Sequence, residues 1–146
     1  MIEHVFHDGG RAAAGFKGQT RDCVARAIAI AADLRYAEVY AQLAMGNATG
    51  RGNLHRAAGR KTAAMGIDTN ARWFCEYMDR LGFVWTPTMR IGSGCRVHLR
   101  ADELPSGKLI VQLSRHVAAV IDGRLLDTYD CSRGGTRCVY GYWKRT

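Results

Sequence analysis

A nearly continuous run of apolar residues lies in the first third of this chain. From Cys23 to Ala32 every residue except Arg26 is apolar. A surface helix shows an apolar stripe opposite polar residues, whereas a segment that is apolar on all sides is typical of a helix inside the protein. The run therefore predicts a buried helix over residues 22–34.

Two weaker helical patterns follow this run. Apolar residues recur at helical spacing over 36–45, and Gly46 is expected to end that helix. A third helix is predicted over 70–81, where large apolar and aromatic residues share one face. Residues 1–17 contain no such pattern and are expected to be irregular.

The second half of the chain has the pattern of strands. Extended segments are predicted at 83–89, 95–99, 108–114, 115–121, 124–129 and 136–143. Asp122 and Gly123 form a two-residue hairpin signal between two of them. Helices first and an antiparallel sheet last predict an α+β fold. A length of 146 residues predicts a single domain over 1–146.

Basic residues outnumber acidic ones, 21 to 13, which gives a net charge of +8. Such a charge favours anionic partners, including nucleic acid, although a merely basic solvated surface has the same composition. Part of the positive charge lies in a Gly-rich segment at about 46–69, which is predicted to be a flexible basic loop. Arg51 and Arg56 of this loop are candidate substrate-binding residues. No recognisable nucleic-acid-binding motif accompanies the charge.

The composition also bears on location. No apolar run approaches the length of a membrane span, so no membrane partner is expected. The N-terminus lacks a basic region followed by a long apolar core, so no secretory signal is expected. The five cysteines form an odd set without tight spacing. A disulfide framework is therefore not expected. A cytoplasmic location is expected instead, because a reducing cytosol keeps cysteines as thiols.

Cys23 stands where the buried helix begins, directly after a polar loop. Thr20 and Asp22 can each accept hydrogen bonds from free backbone N–H groups of the first turn. The start of a helix favours the thiolate form of a cysteine, which is the form that a nucleophile needs. The alternative is a side chain that only packs in the core, as free cysteines usually do. Arg26 is expected to form a structural ion pair if it is buried.

A strand that leads into the predicted hairpin turn supplies a candidate base, His116. With a two-residue turn, Ile121 lies opposite Arg124. His116 and Asp127 then become diagonal neighbours on one face, and Tyr129 shares that face. Asp127 can therefore fix the tautomer and the orientation of the imidazole.

Cys23, His116 and Asp127, in this chain order and in these local contexts, resemble the catalytic residues of papain-like cysteine hydrolases. Among these, the chain is most similar to the small bacteriocin-leader peptidases, with their Asp-Cys junction. The resemblance covers residues 19–34 and 109–129. The segments 22–27 and 95–105 also resemble small phage and proteobacterial proteins, and this second resemblance implies no activity.

The resemblance implies a papain-like fold, with a buried N-terminal helix and further helices packed on a C-terminal antiparallel sheet. It implies a peptidase or amidase that works through an acyl-enzyme without a cofactor. Cys23 would be the nucleophile, His116 the base and Asp127 its orienting group. Gln19 would help to stabilise the oxyanion, although it lies closer to the cysteine than the family's glutamine does. The implied partner is a peptide or amide substrate, acidic ones included.

Two alternatives to a hydrolase stay open. A catalytically inactive module on the same fold would bind a protein or a nucleic acid, and an acyl transferase or transamidase would use the same nucleophile. A zinc site is a further alternative, because four side chains of ligand type are available in Cys95, His98, Cys131 and Cys138. Their spacing matches no common zinc pattern, so no metal is expected. Cys131 and Cys138 flank a turn and are expected to pack rather than to form a disulfide.

Overall fold

The computed structural model describes residues 2–15, 22–49, 67–90 and 92–145. Three helices and six strands are present in these ranges, so the protein is a mixed α+β fold, as the sequence predicts. Their bounds are β1 (Glu3–Phe6), α1 (Cys23–Ala32), α2 (Tyr36–Thr49), α3 (Arg72–Arg80), β2 (Phe83–Pro87), β3 (Lys108–Leu113), β4 (His116–Ile121), β5 (Arg124–Asp127) and β6 (Gly141–Arg145). None of the three described helices has the length and apolar composition needed to cross a bilayer.

The six strands form one sheet in the order β1-β5-β4-β3-β6-β2. All neighbouring strands pair antiparallel except β1, which runs parallel to β5. The predictions of a purely antiparallel sheet and of an irregular segment 1–17 are therefore wrong at Glu3–Phe6. This strand is four residues long and largely exposed, so it lacks the apolar alternation from which a strand is predicted.

The sheet has an apolar core on each face, because side chains alternate along its strands. One face packs against the helices, and its core includes Ile28, Phe74, Ile110 and Ala119. The other face is covered by segments without regular structure, and its core includes Leu99, Leu109, Val120 and Val139. The strand predicted at 95–99 is reduced to a single bridge between His98 and Cys138. Strands β3 and β4 are consequently buried on both sides.

Helix α1 lies against β4, β3 and β5. Seven of its ten residues are buried, which confirms the buried helix that its apolar run predicts. Most of these are alanines, whose small side chains let the helix approach the sheet closely. The helix ends at Asp33, which adopts a left-handed conformation with φ 55°. Cys23 is therefore the first residue of a helix held firmly on the centre of the sheet.

Helix α2 continues past Gly46 to Thr49, so the prediction that Gly46 ends it is wrong. The glycine lies where α2 meets α3. A Cβ atom at this position would overlap the indole ring of Trp73. Gly46 therefore allows α2 and α3 to pack closely and does not end α2.

Gly46→Ala should destabilise the protein by roughly 1–3 kcal/mol, because the Trp73 ring must move to make room for the methyl group. In a helix without this contact, the same change stabilises by about 1 kcal/mol. Trp73→Ala should therefore restore the ordinary stabilising sign of Gly46→Ala. Urea unfolding of the wild type, both single variants and the double variant measures this, and a Gly46→Ala protein more stable than the wild type contradicts the packing.

Cys95 and Cys138 form a disulfide across a separation of 43 residues, with their Cα atoms 5.8 Å apart. Cys23, Cys75 and Cys131 are free. Cys138 therefore pairs with Cys95 and not with Cys131, which stays free as expected. The Cys95–Cys138 bond itself is not predicted by the sequence, because an isolated bridge between distant segments brings the two partners together. The bond also removes two of the four side chains considered for zinc. Disulfides persist mainly in oxidising compartments, so this bond is not expected in a permanently reducing cytosol.

Candidate active site

Three elements bring a thiol, an imidazole and a carboxylate to one end of the sheet. Cys23 is the first residue of α1, His116 is the first residue of β4, and Asp127 is the last residue of β5. Because β4 and β5 are antiparallel neighbours, the start of one lies beside the end of the other. Helix α1 packs against both strands, so its first residue joins them.

The hairpin of β4 and β5 has the register that the sequence predicts, with Ile121 opposite Arg124. His116 and Asp127 are therefore diagonal neighbours, and they are hydrogen-bonded. The distance from His116 Nε2 to Asp127 Oδ2 is 2.6 Å. Asp130 is exposed and accepts hydrogen bonds from Ser132 instead. The predicted contact between Asp127 and the imidazole is therefore confirmed.

The position of His116 is fixed by the turn before it. Ser114 and Arg115 connect β3 to β4, and Arg115 adopts a positive φ of 55°. The buried Arg137 guanidinium donates from Nη2 to the Ser114 carbonyl at 2.6 Å and from Nη1 to the Cys131 carbonyl at 3.4 Å. This side chain therefore ties the turn that precedes the imidazole to the loop that follows β5.

Both members of the His116–Asp127 pair are buried, with 8% and 3% of their surface exposed. Asp127 Oδ1 accepts a hydrogen bond from the backbone N–H of Thr128 at 2.7 Å. The other carboxylate oxygen, Oδ2, faces the imidazole. The backbone carbonyl of Asp127 accepts a further hydrogen bond from the backbone N–H of His7 at 3.1 Å. Hydrogen bonds to both carboxylate oxygens and to the backbone carbonyl of Asp127 therefore fix the position of this residue.

These surroundings favour the protonated imidazole. Burial alone lowers the pKa of His116, but hydrogen bonds with Asp127, Cys131 and Cys23 outweigh it and raise that pKa to about 12. Burial also opposes the charged form of Asp127, yet the His116 hydrogen bond and charge hold the pKa of this carboxyl below its usual value. Both shifts describe one interaction, an imidazolium paired with a carboxylate at neutral pH.

The raised pKa of His116 predicts a loss of stability in alkali. Its contribution is complete below pH about 6.5, the pKa of an unfolded histidine, and it is lost progressively as the pH rises towards 12. Between pH 7 and pH 9 the free energy of unfolding should fall by roughly 1 kcal/mol per pH unit. Urea unfolding at both pH values should show it in the wild type and not in His116→Gln/Asp127→Asn, which removes both charges together. Equal losses in the two proteins would contradict the assignment.

Cys23 and His116 lie on the wall of an open cleft of about 700 Å³. The other described lining residues are Val24, Arg26, Ile67, Thr69, Gln112, Arg115, Val117 and Tyr129. Cys23 is half-buried, so its thiol is accessible from the cleft that His116 also lines. These lining residues include two arginines and no carboxylate. Arg26 is paired with Asp22 and Asp127, so Arg115 gives this part of the cleft its positive character.

Tyr129 is a predicted substrate-binding residue, and it lies in the cleft wall beside the imidazole. Its ring centroid is 5.4 Å from that of His116, and half of the side chain is exposed. The other two predicted substrate-binding residues, Arg51 and Arg56, lie outside the described residues, as does the predicted oxyanion donor Gln19. Most of the predicted basic loop is also outside them, while residues 46–49 belong to α2.

A second pocket of about 440 Å³ adjoins the cleft and shares Thr69 and Gln112 with it. The Thr69 hydroxyl donates to Gln112 Oε1 at 3.1 Å. The pocket is mainly apolar, and its lining includes Met78, Phe83, Trp85, Met89 and Trp143. Its residues come from α3, β2, β3 and β6 and from the segments between them, which explains why no local sequence pattern reveals it.

Cys131 is a neighbour of the imidazole that the sequence does not predict. It is 1% exposed and lies in the core on the face of the sheet opposite the helices. Burial raises the pKa of the Cys131 thiol, so this group stays neutral. Cys23, which opens to the cleft, is therefore the better nucleophile of the two. In the sequence, the proximity of Cys131 to the imidazole is indicated only by its position four residues after Asp127.

His116, Asp127 and Cys131 are three side chains of metal-ligand type within 4.8 Å of one another. Two nitrogen or oxygen ligands at about 2.0–2.1 Å from a tetrahedral zinc ion lie about 3.3 Å apart. The nitrogen and oxygen atoms of His116 and Asp127 are 2.6 Å apart, which is the distance of a charged hydrogen bond. The geometry fits an ion pair and does not fit a zinc site.

Asp22 occupies the N-cap position of α1, but its side chain makes no capping hydrogen bond. The prediction that it caps the helix is therefore wrong, and Thr20 lies outside the described residues. The Asp22 carboxylate is buried and pairs instead with Arg26, one turn along the helix. A buried carboxylate is better compensated by a guanidinium than by an N–H group. The predicted structural ion pair of Arg26 is confirmed.

Comparison with known proteins adds no assignment to this site. No family model matches the chain, and no curated protein or solved structure matches it significantly. The interpretation of the site therefore rests on its geometry.

Proposed function

We propose that the protein is a papain-like thiol hydrolase, a peptidase or amidase that acts through an acyl-enzyme. The observation that carries the proposal is the His116 imidazole, which is hydrogen-bonded to Asp127 and lines the same cleft as the Cys23 thiol. An imidazole fixed by a carboxylate beside an accessible thiol is the arrangement by which enzymes activate cysteine. The chain order and the positions of the three residues at a helix start and two strand ends support the papain-like arrangement.

In the proposed reaction the thiol proton of Cys23 already lies on His116, so the two groups enter the reaction as a thiolate and an imidazolium. The sulfur attacks the carbonyl carbon, a C–S bond forms, and an electron pair moves to the oxygen. As the intermediate collapses, the C–N bond breaks and the imidazolium gives its proton to the leaving amine. Water then attacks the thioester while His116 accepts a water proton. The C–S bond breaks, and a carboxylic acid leaves.

The oxyanion of the intermediate needs hydrogen-bond donors close to the sulfur. The backbone N–H groups in the first turn of a helix have no acceptor within the helix. The side chain of Asp22 does not occupy them as a cap. The N–H of Cys23 is therefore the proposed first donor, and the side-chain amide of Gln19 is the proposed second.

The charge around the cleft favours substrates that carry carboxylates. Arg115 lines the described part of the cleft, which contains no acidic side chain. Arg51 and Arg56 are proposed to add positive charge from the adjoining segment. Peptides or amides with acidic groups near the scissile bond are therefore the proposed substrates.

The test is hydrolysis of a set of fluorogenic peptides that carry acidic or neutral residues around the cleaved amide. Wild type should cleave members of the acidic set, and Cys23→Ala should lose at least about a thousandfold of that activity. Rapid acid quenching and intact-mass measurement should detect the acyl group on wild type alone. An added primary amine that appears in the product would identify acyl transfer rather than hydrolysis.

Failure of this test would favour the inactive-module alternative. Absence of both cleavage and adduct, with Cys23 no more reactive than other thiols, would overturn the hydrolase proposal. Binding of acidic proteins and of nucleic acid at several salt concentrations would then be measured. An interaction that Cys23→Ala leaves intact would support a non-catalytic role.

A further inference from the structure

Arg26 is the single charged residue of α1, and its guanidinium joins two carboxylates. Nη1 pairs with Asp22 Oδ1, and Nη2 lies 3.6 Å from Asp127 Oδ1. The side chain is 12% exposed, so these contacts are largely shielded from solvent. Arg26 is therefore the link between the residue that precedes the Cys23 thiol and the residue that orients His116.

The Asp22 end of this link is itself anchored. Asp22 is 1% exposed, and its Oδ2 lies 3.0 Å from Arg11 Nε. The Tyr36 hydroxyl donates to the same oxygen at 2.5 Å. Burial and the Asp22 hydrogen bond raise the pKa of Tyr36 well above its usual value, so this hydroxyl keeps its proton. Asp22 is consequently a fixed point for the Arg26 guanidinium.

The contacts form a chain in which positive and negative groups alternate. It runs through Arg11, Asp22, Arg26, Asp127 and His116. Buried charges are costly unless each is compensated by a neighbour. Arg26 lies at the centre of the chain, and without it two buried carboxylates would lose the cation between them.

We propose that Arg26 is a positioning residue, which fixes Asp127 Oδ1 and keeps Asp127 ionised so that Oδ2 holds the His116 imidazole. Oδ1 is the oxygen that meets both Arg26 and the Thr128 N–H, whereas Oδ2 meets His116. The charge of Arg26 contributes to the low pKa of Asp127. A role for this residue in catalysis rests on the proposed hydrolase function, but the positioning itself does not.

The proposal predicts a change in the acid limb of the pH profile. Arg26→Gln should raise the pH at which the His116–Asp127 hydrogen bond is lost by about one unit, a tenfold change in the proton affinity of Asp127. The readout is the downfield imidazole N–H resonance of His116, followed by proton NMR from about pH 2 to pH 8, because the acid limb lies below the usual pKa of an aspartate. The His4 ring, which bonds the Asp127 carbonyl, is followed in the same spectra.

Arg11→Gln is the matched control, because it removes a guanidinium that pairs with the other oxygen of Asp22. This variant should keep the wild-type acid limb to within a few tenths of a pH unit. An unchanged limb in Arg26→Gln, or an equal shift in both variants, would overturn the proposal. If Arg26→Gln does not fold, Arg26→Lys decides. Its ammonium is a single point charge, so a partial shift supports the proposal and an unchanged limb overturns it.

Cys23 alkylation in the same variants separates this proposal from the proposed function. A shifted imidazole resonance together with an inert Cys23 would support the positioning role and overturn the hydrolase. A reactive Cys23 whose pH profile is unchanged in folded Arg26→Gln would support the thiol chemistry and overturn the role of Arg26.

Discussion

Iodoacetamide at pH 6 should modify Cys23 at least about tenfold faster than Cys75, although Cys75 is the more exposed of the two. Cys23 has the protonated His116 beside it and the start of α1 beneath it. A neighbouring imidazolium and the start of a helix each favour the thiolate, which is the form of a cysteine that reacts with iodoacetamide. Peptide mass spectrometry resolves the labelling of each cysteine in one sample, so Cys75 is an internal reference.

His116→Ala should remove this advantage, because it removes the cation beside the sulfur. We expect Cys23 in that variant to react no faster than Cys75 at pH 6, while both thiols accelerate alike as the pH rises. His98→Ala is the matched control, since it removes an imidazole that pairs with Glu103 away from the cleft. Equal rates for Cys23 and Cys75 in the wild type would mean that the thiol is not activated.

The parts of the site that could be predicted are those that local patterns encode. The apolar run identifies α1 and places Cys23 at its start. The two-residue turn at Asp122 and Gly123 fixes the hairpin register, and the register alone brings His116 to Asp127. In each case a period or a turn type converts sequence position into spatial position over a few residues.

The parts that could not be predicted depend on contacts between distant segments. Strand β1 is short and exposed, and it is defined by its pairing with β5 more than by its own residues. The disulfide joins Cys95 to Cys138, which no spacing rule connects. Gly46 has the sequence context of a helix end, and only the ring of Trp73 explains why a glycine lies inside the helix.

The same reasoning explains the one misjudged carboxylate near the thiol. An aspartate such as Asp22 caps a helix when the only other partner for its carboxylate is solvent. Asp22 itself is buried and Arg26 is only 12% exposed, and a charged partner outcompetes an N–H group in such surroundings. Local preference therefore gives the right position for Asp22 and the wrong partner.

Asp127→Ala should cost about 3–5 kcal/mol of unfolding free energy at pH 7, since removing one member of a buried ion pair leaves the other uncompensated. Two cations, His116 and Arg26, meet this carboxylate. The low pKa of Asp127 means that its stabilising contribution is present at neutral pH and is lost as the pH falls through that pKa. Urea unfolding at pH 7 and pH 3 should therefore show a smaller difference between wild type and Asp127→Ala at the lower pH.

Asp127→Asn and Asp130→Asn form the pair that separates charge from shape. Asp127→Asn keeps the size of the side chain and can still bond the imidazole, but it removes the charge that holds His116 protonated. It should destabilise less than Asp127→Ala while slowing Cys23 alkylation at pH 6 by at least about tenfold. Asp130→Asn changes an exposed carboxylate that bonds Ser132, and it should alter stability by less than about 1 kcal/mol. If Asp127→Asn matched Asp130→Asn in both measurements, the carboxylate would have no part in activating the thiol, and the imidazole would depend on its other neighbours alone.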